Sequence, residues 1–194
     1  MRSNQNAPER VLPSMTDAPV EETAAVLLAQ SGDREALDRL LRGVEKPLYA
    51  YLTRMTGDPE AAKDVLQEAF VRICRKLGWL HDPELFRPWA FRIASREAFR
   101  MMKRVRGRRE VDLPDASLEA FSSAPEPSWP VSLDLPAVLD GVSPASRAVL
   151  LLHYGHEMKL EDVSDVLAIP LGTTKSRLAY GLRCLRRSFE PGTR

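Results

Sequence analysis

Apolar residues recur at three- and four-residue steps along most of the chain, with no sustained alternation of apolar and polar positions. Leu37, Leu40, Leu41, Val44, Leu48, Tyr51, Leu52 and Met55 form one such series, the stripe of an amphipathic helix that Gly57 ends. Asp58 followed by Pro59 reads as an N-cap with proline at the first helical position. It opens a helix whose apolar stripe is Val65, Leu66, Ala69, Phe70, Ile73 and Leu77, closed by Gly78. The segment from Trp79 to Leu85, with His81, Asp82 and Pro83, predicts a loop, and Phe86 leads into a third long helix reaching about Arg104.

The pattern resumes near the C-terminus. Leu135, Val138 and Leu139 make an apolar face, and Ser143 with Pro144 starts a helix containing Val149, Leu150 and Leu152. A short helix over Leu160 to Leu167, a break at Pro170 and Gly172, and a last helix from Thr173 to about Phe189 follow. The expected fold class is therefore all-α, two small helical domains. Between them lie Pro114, Pro125, Pro127 and Pro130 among serines and alanines, apolar positions without a period, and from residue 110 only acidic charge, the marks of a flexible linker. The expected organisation is a disordered tail over residues 1–20, a first domain over 21–107, an acidic linker over 108–134 and a second domain over 135–190.

Composition agrees with a globular chain: 194 residues, 44% hydrophobic and 28% charged. The longest apolar run, Ala24 to Ala29, is far shorter than the ~18 residues that span a bilayer, and residues 1–20 do not have the build of a secretory signal. A cytoplasmic location is expected. Cys74 and Cys184 are too few for a disulfide framework and read as free thiols.

The formal charge of +1 conceals opposed segments. Residues 87–109 carry nine bases against the single acid Glu97, residues 110–140 carry seven acids and no base, and residues 172–194 carry six bases against Glu190. On a helical wheel Arg92, Arg96, Arg100 and Lys103 share an arc of roughly 80°, edged by Trp89 and Phe99. Such a stripe suits a phosphate backbone, and exposed rings can stack on unpaired bases. For Trp89 a place in the core is the favoured reading.

The last two helices have the build of a helix-turn-helix. Thr173, Ser176, Tyr180, Arg183 and Arg187 fall on one face of the second helix, while Thr174, Leu178, Leu182 and Leu185 fall on the other. Hydroxyls near a helix N-terminus with arginines further along fit a recognition helix in a major groove. There is no Gly-rich phosphate loop and no nucleophile arrangement, so neither enzyme activity nor a cofactor is expected. His153, His156 and Glu157, spaced i, i+3, i+4, form the best metal candidate, a weak one, and no metal is expected. A conventional helix-turn-helix regulator is the competing reading, and it predicts stable duplex binding by the isolated protein.

Three motifs in order carry a family resemblance. Asp58 to Phe70, DPEAAKDVLQEAF, resembles the polymerase-docking segment of extracytoplasmic-function (ECF, group IV) sigma factors of the sigma-70 family. Phe86 to Arg104, FRPWAFRIASREAFRMMKR, resembles their promoter-melting helix, and Leu167 to Leu178, LAIPLGTTKSRL, their minus-thirty-five motif. The resemblance implies a sigma region 2 bundle and a sigma region 4 helix-turn-helix, and a function in promoter-specific transcription initiation. It implies contacts of Asp64, Gln67 and Glu68 with the polymerase clamp. Minus-ten DNA would be held by His81, Asp82, Phe86, Arg87, Arg92, Arg96, Arg100, Lys103 and Arg104. Minus-thirty-five DNA would be read by Thr173, Thr174, Lys175, Ser176, Arg177, Tyr180, Arg183 and Arg187. The implied partners are core RNA polymerase (β′ clamp helices and β flap), promoter DNA and an anti-sigma factor. Lys63, Arg96, Arg100 and the run Ala179 to Leu182 depart from the family's commoner residues.

Overall fold

The computed structural model of the chain describes residues 18–105, 139 and 141–189. The expected linker and most of the N-terminal tail lie outside the described residues. Among the described residues the regular structure is helical throughout: α1 (Ala18–Gln30), α2 (Arg34–Thr56), α3 (Pro59–Lys76), α4 (Phe86–Val105), α5 (Pro144–Leu150), α6 (Leu160–Leu167) and α7 (Leu171–Phe189). Helix α1 begins inside the stretch expected to be a tail. Its apolar residues do not gather on one face, which hides it from a search by period, and Leu27 and Leu28 stay exposed.

The boundaries follow local chemistry. Asp33 Oδ1 accepts from the Glu35 and Ala36 amides at 2.9 and 3.1 Å to open α2. Gly57 takes a left-handed φ of 72° to close it, returning its amide to Thr53 O at 2.9 Å. Asp58 Oδ1 caps α3 through the Glu60 amide at 2.9 Å. The expected loop over residues 79–85 is drawn into two short 3₁₀ turns, Leu77–Trp79 and Pro83–Leu85. The helix expected to run through Leu152 instead changes pitch after Leu150 into a π turn, Leu151–Gly155.

Helices α1 to α4 form a bundle around Leu48, Tyr51, Leu52, Met55, Ile73 and Phe86, each almost inaccessible to solvent. Tyr51 and Ser95 share a buried hydroxyl hydrogen bond of 2.8 Å, and burial pushes the Tyr51 phenol well above its ordinary range. The same buried cluster continues into helices α5 to α7, around Val149, Leu152, Val163 and Leu185.

The two units are packed together, with Arg147 of α5 at the join. Its Nη1 donates to Met55 O at 3.2 Å and Arg54 O at 3.5 Å, and its Nη2 to Leu139 O at 2.6 Å and Val142 O at 3.3 Å. Arg54 and Met55 end α2, where helix carbonyls lack intrahelical partners and the macrodipole favours a cation. His156 adds an aromatic contact across the same join, with its ring 4.5 Å from Phe91 and 6.0 Å from Tyr51. Burial, and then the Arg54 charge, lower the His156 pKa.

Candidate polymerase and nucleic-acid interface

The outer face of α3 presents Lys63, Asp64, Gln67 and Glu68, all exposed, because Ala62, Val65, Leu66 and Ala69 take the inner positions. Lys63 Nζ pairs with Glu60 Oε1 at 2.6 Å, which raises its pKa. Beside this face runs a groove of about 500 Å³ lined by the apolar Leu66, Phe70, Val71 and Cys74 together with Glu45, Lys63, Gln67 and Arg75. An apolar trough edged by acids, an amide and the cations Lys63 and Arg75 is suited to an amphipathic partner helix with charge of both signs at its edges.

Helix α4 carries the basic surface. Leu80, Leu85, Pro88, Trp89 and Arg92 wall a cleft of about 140 Å³, with Asp162, Asp165 and Val166 of α6 on the other side. Arg92 Nε is buried without a hydrogen-bond partner among the described residues. Trp89 is half-buried, its ring 6.3 Å from Phe86, so it packs on the core and lines the cleft at once. Arg96, Lys103, Arg104 and His81 are exposed, and Asp82 caps the second 3₁₀ turn through the Glu84 amide at 3.2 Å.

Two bases expected on this surface are engaged by acids. Arg87 Nη2 lies 2.7 Å from Glu22 Oε2. Arg100 pairs with Glu97, whose other oxygen lies 2.6 Å from Arg72 Nε, so the single acid of the basic segment is buried between two arginines. Phe86 requires correction. Its side chain is fully buried in the bundle, because α4 turns its first residue inward, and it cannot touch DNA.

In the helix-turn-helix, the turn residue with left-handed φ is Ala168 at 53°, and Ser164 Oγ donates to Ile169 O at 2.7 Å to brace it. Helix α7 starts at Leu171, so Gly172 lies within it and not in the turn. Thr173, Ser176, Arg177 and Tyr180 are half-buried, and Lys175, Arg183 and Arg187 are exposed. Burial lowers the Arg177 pKa, and a hydrogen bond with Cys184 raises that of Tyr180. Thr174 is the second correction. It is fully buried, with Oγ1 donating back to Pro170 O at 3.2 Å, and it presents nothing to a groove.

Gly181, a poor helix former taken alone, has a packing reason. A Cβ on it would stand 2.7 Å from Leu150 Cδ1 and 3.1 Å from Leu150 Cγ, so any side chain there has to displace the Leu150 side chain of α5. Gly181→Leu is expected to cost about 2–3 kcal/mol by overpacking, seen as a lower thermal midpoint. An unchanged midpoint would show that α5 yields freely.

His153 and His156 do not converge. The His153 Nδ1 lies 2.7 Å from Met158 O, whereas His156 stacks on Phe91. Among the described residues no group of three or more His, Cys, Asp or Glu gathers as a metal site, and no helix is long and apolar enough to cross a membrane. Sequence reasoning missed Arg147, Gln30, Glu22 and the pair Asp162 and Asp165, which act across long sequence separations and leave no periodic signal.

Comparison with known proteins supplies the family. Residues 40–109 match the family model for Sigma-70 region 2, and residues 138–187 match that for Sigma-70, region 4. The chain is 31% identical over 157 residues to the ECF RNA polymerase sigma factor SigL of Mycobacterium tuberculosis, covering 74% of this chain and 82% of that protein. It is 29% identical over 175 residues to the ECF RNA polymerase sigma factor SigE of Mycolicibacterium smegmatis, covering 86% and 67%. In fold it resembles CnrH, solved with the cytosolic domain of CnrY, at a TM-score of 0.64 and 16% identity over 89% of this chain and 99% of that one. It also resembles the sigma factor RpoE of Bartonella quintana, solved with the anti-sigma factor NepR, at 0.61 and 23% over 80% and 98%. Both halves of the helical architecture and the two ordered family matches thus lead to one conclusion: the chain belongs to the ECF sigma factors of the sigma-70 family, which bind core RNA polymerase and direct promoter-specific transcription initiation.

Proposed function

We propose that the unit spanning residues 21–107 docks on the polymerase clamp through Asp64, Gln67 and Glu68 and captures the melted minus-ten strand in the Trp89–Arg92 cleft. The unit spanning 135–190 reads the minus-thirty-five duplex with Thr173, Lys175, Ser176, Arg177, Tyr180, Arg183 and Arg187, and residues 108–134 connect the two. The observation that carries the reading is a cleft lined by Trp89 and Arg92 on a helix whose exposed Arg96, Lys103 and Arg104 are all basic. An unstacked base costs a few kcal/mol to extrude, which contact with the Trp89 ring and neighbouring cations offsets. Arg96, Lys103 and Arg104 would then hold the phosphates of the same strand. The role is that of a regulator of initiation without chemistry of its own, acting inside the cell.

An anti-sigma partner belongs to the same reading, supported by RpoE having been solved with one. The α3 groove, apolar and adjacent to the polymerase-facing residues, is where such a partner would compete.

Co-elution with bacterial core polymerase tests the docking face. Wild-type chain is expected to co-elute, and a variant with Asp64, Gln67 and Glu68 all changed to lysine is expected to lose at least tenfold in affinity, each reversed or added charge opposing the partner by about 1 kcal/mol or more. Equal co-elution of the two would remove α3 from the interface.

A further inference from the structure

The segment joining α3 to α4 supplies Leu80 and Leu85 to the cleft, yet it has little structure of its own. Its two 3₁₀ turns are three residues each, closed by Leu80 N donating to Leu77 O at 3.0 Å and Leu85 N to Asp82 O at 3.1 Å. Ordering a residue costs about 1–2 kcal/mol of backbone entropy, so a segment this short of internal bonds needs ties from elsewhere to keep one shape.

Helix α1 provides them at both ends. The Gln30 side chain reaches across to the entry of the segment, where its Nε2 donates to Leu77 O at 2.9 Å and to Leu80 O at 2.8 Å. At the exit, Glu22 grips Arg87 with both oxygens, Oε1 to Nε at 3.1 Å and Oε2 to Nη2 at 2.7 Å. The Glu22 side chain is only 19% exposed, so this forked pair is partly withdrawn from solvent. Eight residues apart on α1, Glu22 and Gln30 bracket the whole segment, although α1 lies ahead of the region 2 match that begins at residue 40.

We propose that α1 is a positioning strap for the single-strand cleft, with Gln30 and Glu22 as positioning residues that fix the shape of residues 77–87 before DNA arrives. The proposal rests on the reading of the Trp89–Arg92 cleft as the site of strand capture. A strap of this kind acts on affinity for an unpaired strand and leaves duplex and polymerase contacts alone, since neither Gln30 nor Glu22 lies on α3 or α7. Because Gln30→Glu keeps size and shape while setting an oxygen against two carbonyls, it removes the tie without opening a cavity.

The test uses holoenzyme assembled from the full chain and bacterial core polymerase. Its probe is a fork DNA, duplex upstream with an unpaired overhang, selected from a randomised pool on the wild-type holoenzyme. Gln30→Glu and Glu22→Gln are each expected to weaken fork binding several-fold, and the double variant about tenfold or more. Co-elution with core polymerase and binding of the fully duplex upstream arm are expected to stay as in wild type, with the thermal midpoint lowered by only a few degrees. Trp89→Ala and Arg92→Ala, measured alongside, separate the two claims. If they weaken fork binding while the double α1 variant does not, the strap is overturned and the cleft stands. If they too leave fork binding unchanged, the cleft reading fails and the strap with it. A parallel loss of fork, duplex and polymerase binding with a lower thermal midpoint would also overturn the strap, since α1 would then serve only general stability.

Discussion

Arg147→Ala is expected to release the second helical unit from the first, lowering stability by about 3–5 kcal/mol and enlarging the radius of gyration seen by small-angle scattering. Arg147 is 7% exposed and its guanidinium serves four carbonyls, two at the end of α2 and two before α5. Removing it leaves those acceptors buried without their donor, which costs more than the bonds themselves contribute. Acid works in the same direction. The His156 pKa is lowered in the packed state, so packing favours the neutral ring, is at full strength above the ordinary value of 6.5, and is lost as pH falls below it. Unchanged scattering for Arg147→Ala would mean that the apolar contacts at the join suffice.

Glu97→Ala is expected to destabilise the first unit by about 2–4 kcal/mol, measured by denaturant unfolding. Its side chain is 5% exposed and sits between Arg72 of α3 and Arg100 of α4, joining two helices at the back of the basic surface. Without it two guanidinium groups face each other with no counter-charge, at a point where the neighbouring helix surface is already positive. Both arginines are partly exposed, which keeps the cost below that of a fully buried triad. A loss under about 1 kcal/mol would show that water replaces the carboxylate.

Much of this architecture is legible in the chain. Asp58 with Pro59, Gly57 and Ser143 with Pro144 mark helix ends by stereochemistry that acts within a few residues, and each boundary falls where those residues put it. The outward face of α3 and the helix-turn-helix follow from period alone. What escapes is of three kinds. Helix α1 has too little amphipathic contrast to be seen, although it holds the segment that shapes the cleft. Phe86 and Thr174 stand beside functional residues in sequence but point inward, since neighbours along a helix lie about 100° apart. Arg147, Glu22 and Gln30 bond to partners dozens of residues away, or to backbone atoms, which no side-chain pattern encodes.

The most direct test of the account is a map of transcript starts made in vitro with core polymerase on genomic DNA, alone and with the chain added. New starts sharing two upstream elements at a constant spacing are predicted, with Arg92→Ala reducing opening at all of them and Ser176→Ala with Arg183→Ala relaxing only the upstream element. The same starts with and without the chain, or a shared upstream element indifferent to the α7 changes, would contradict it.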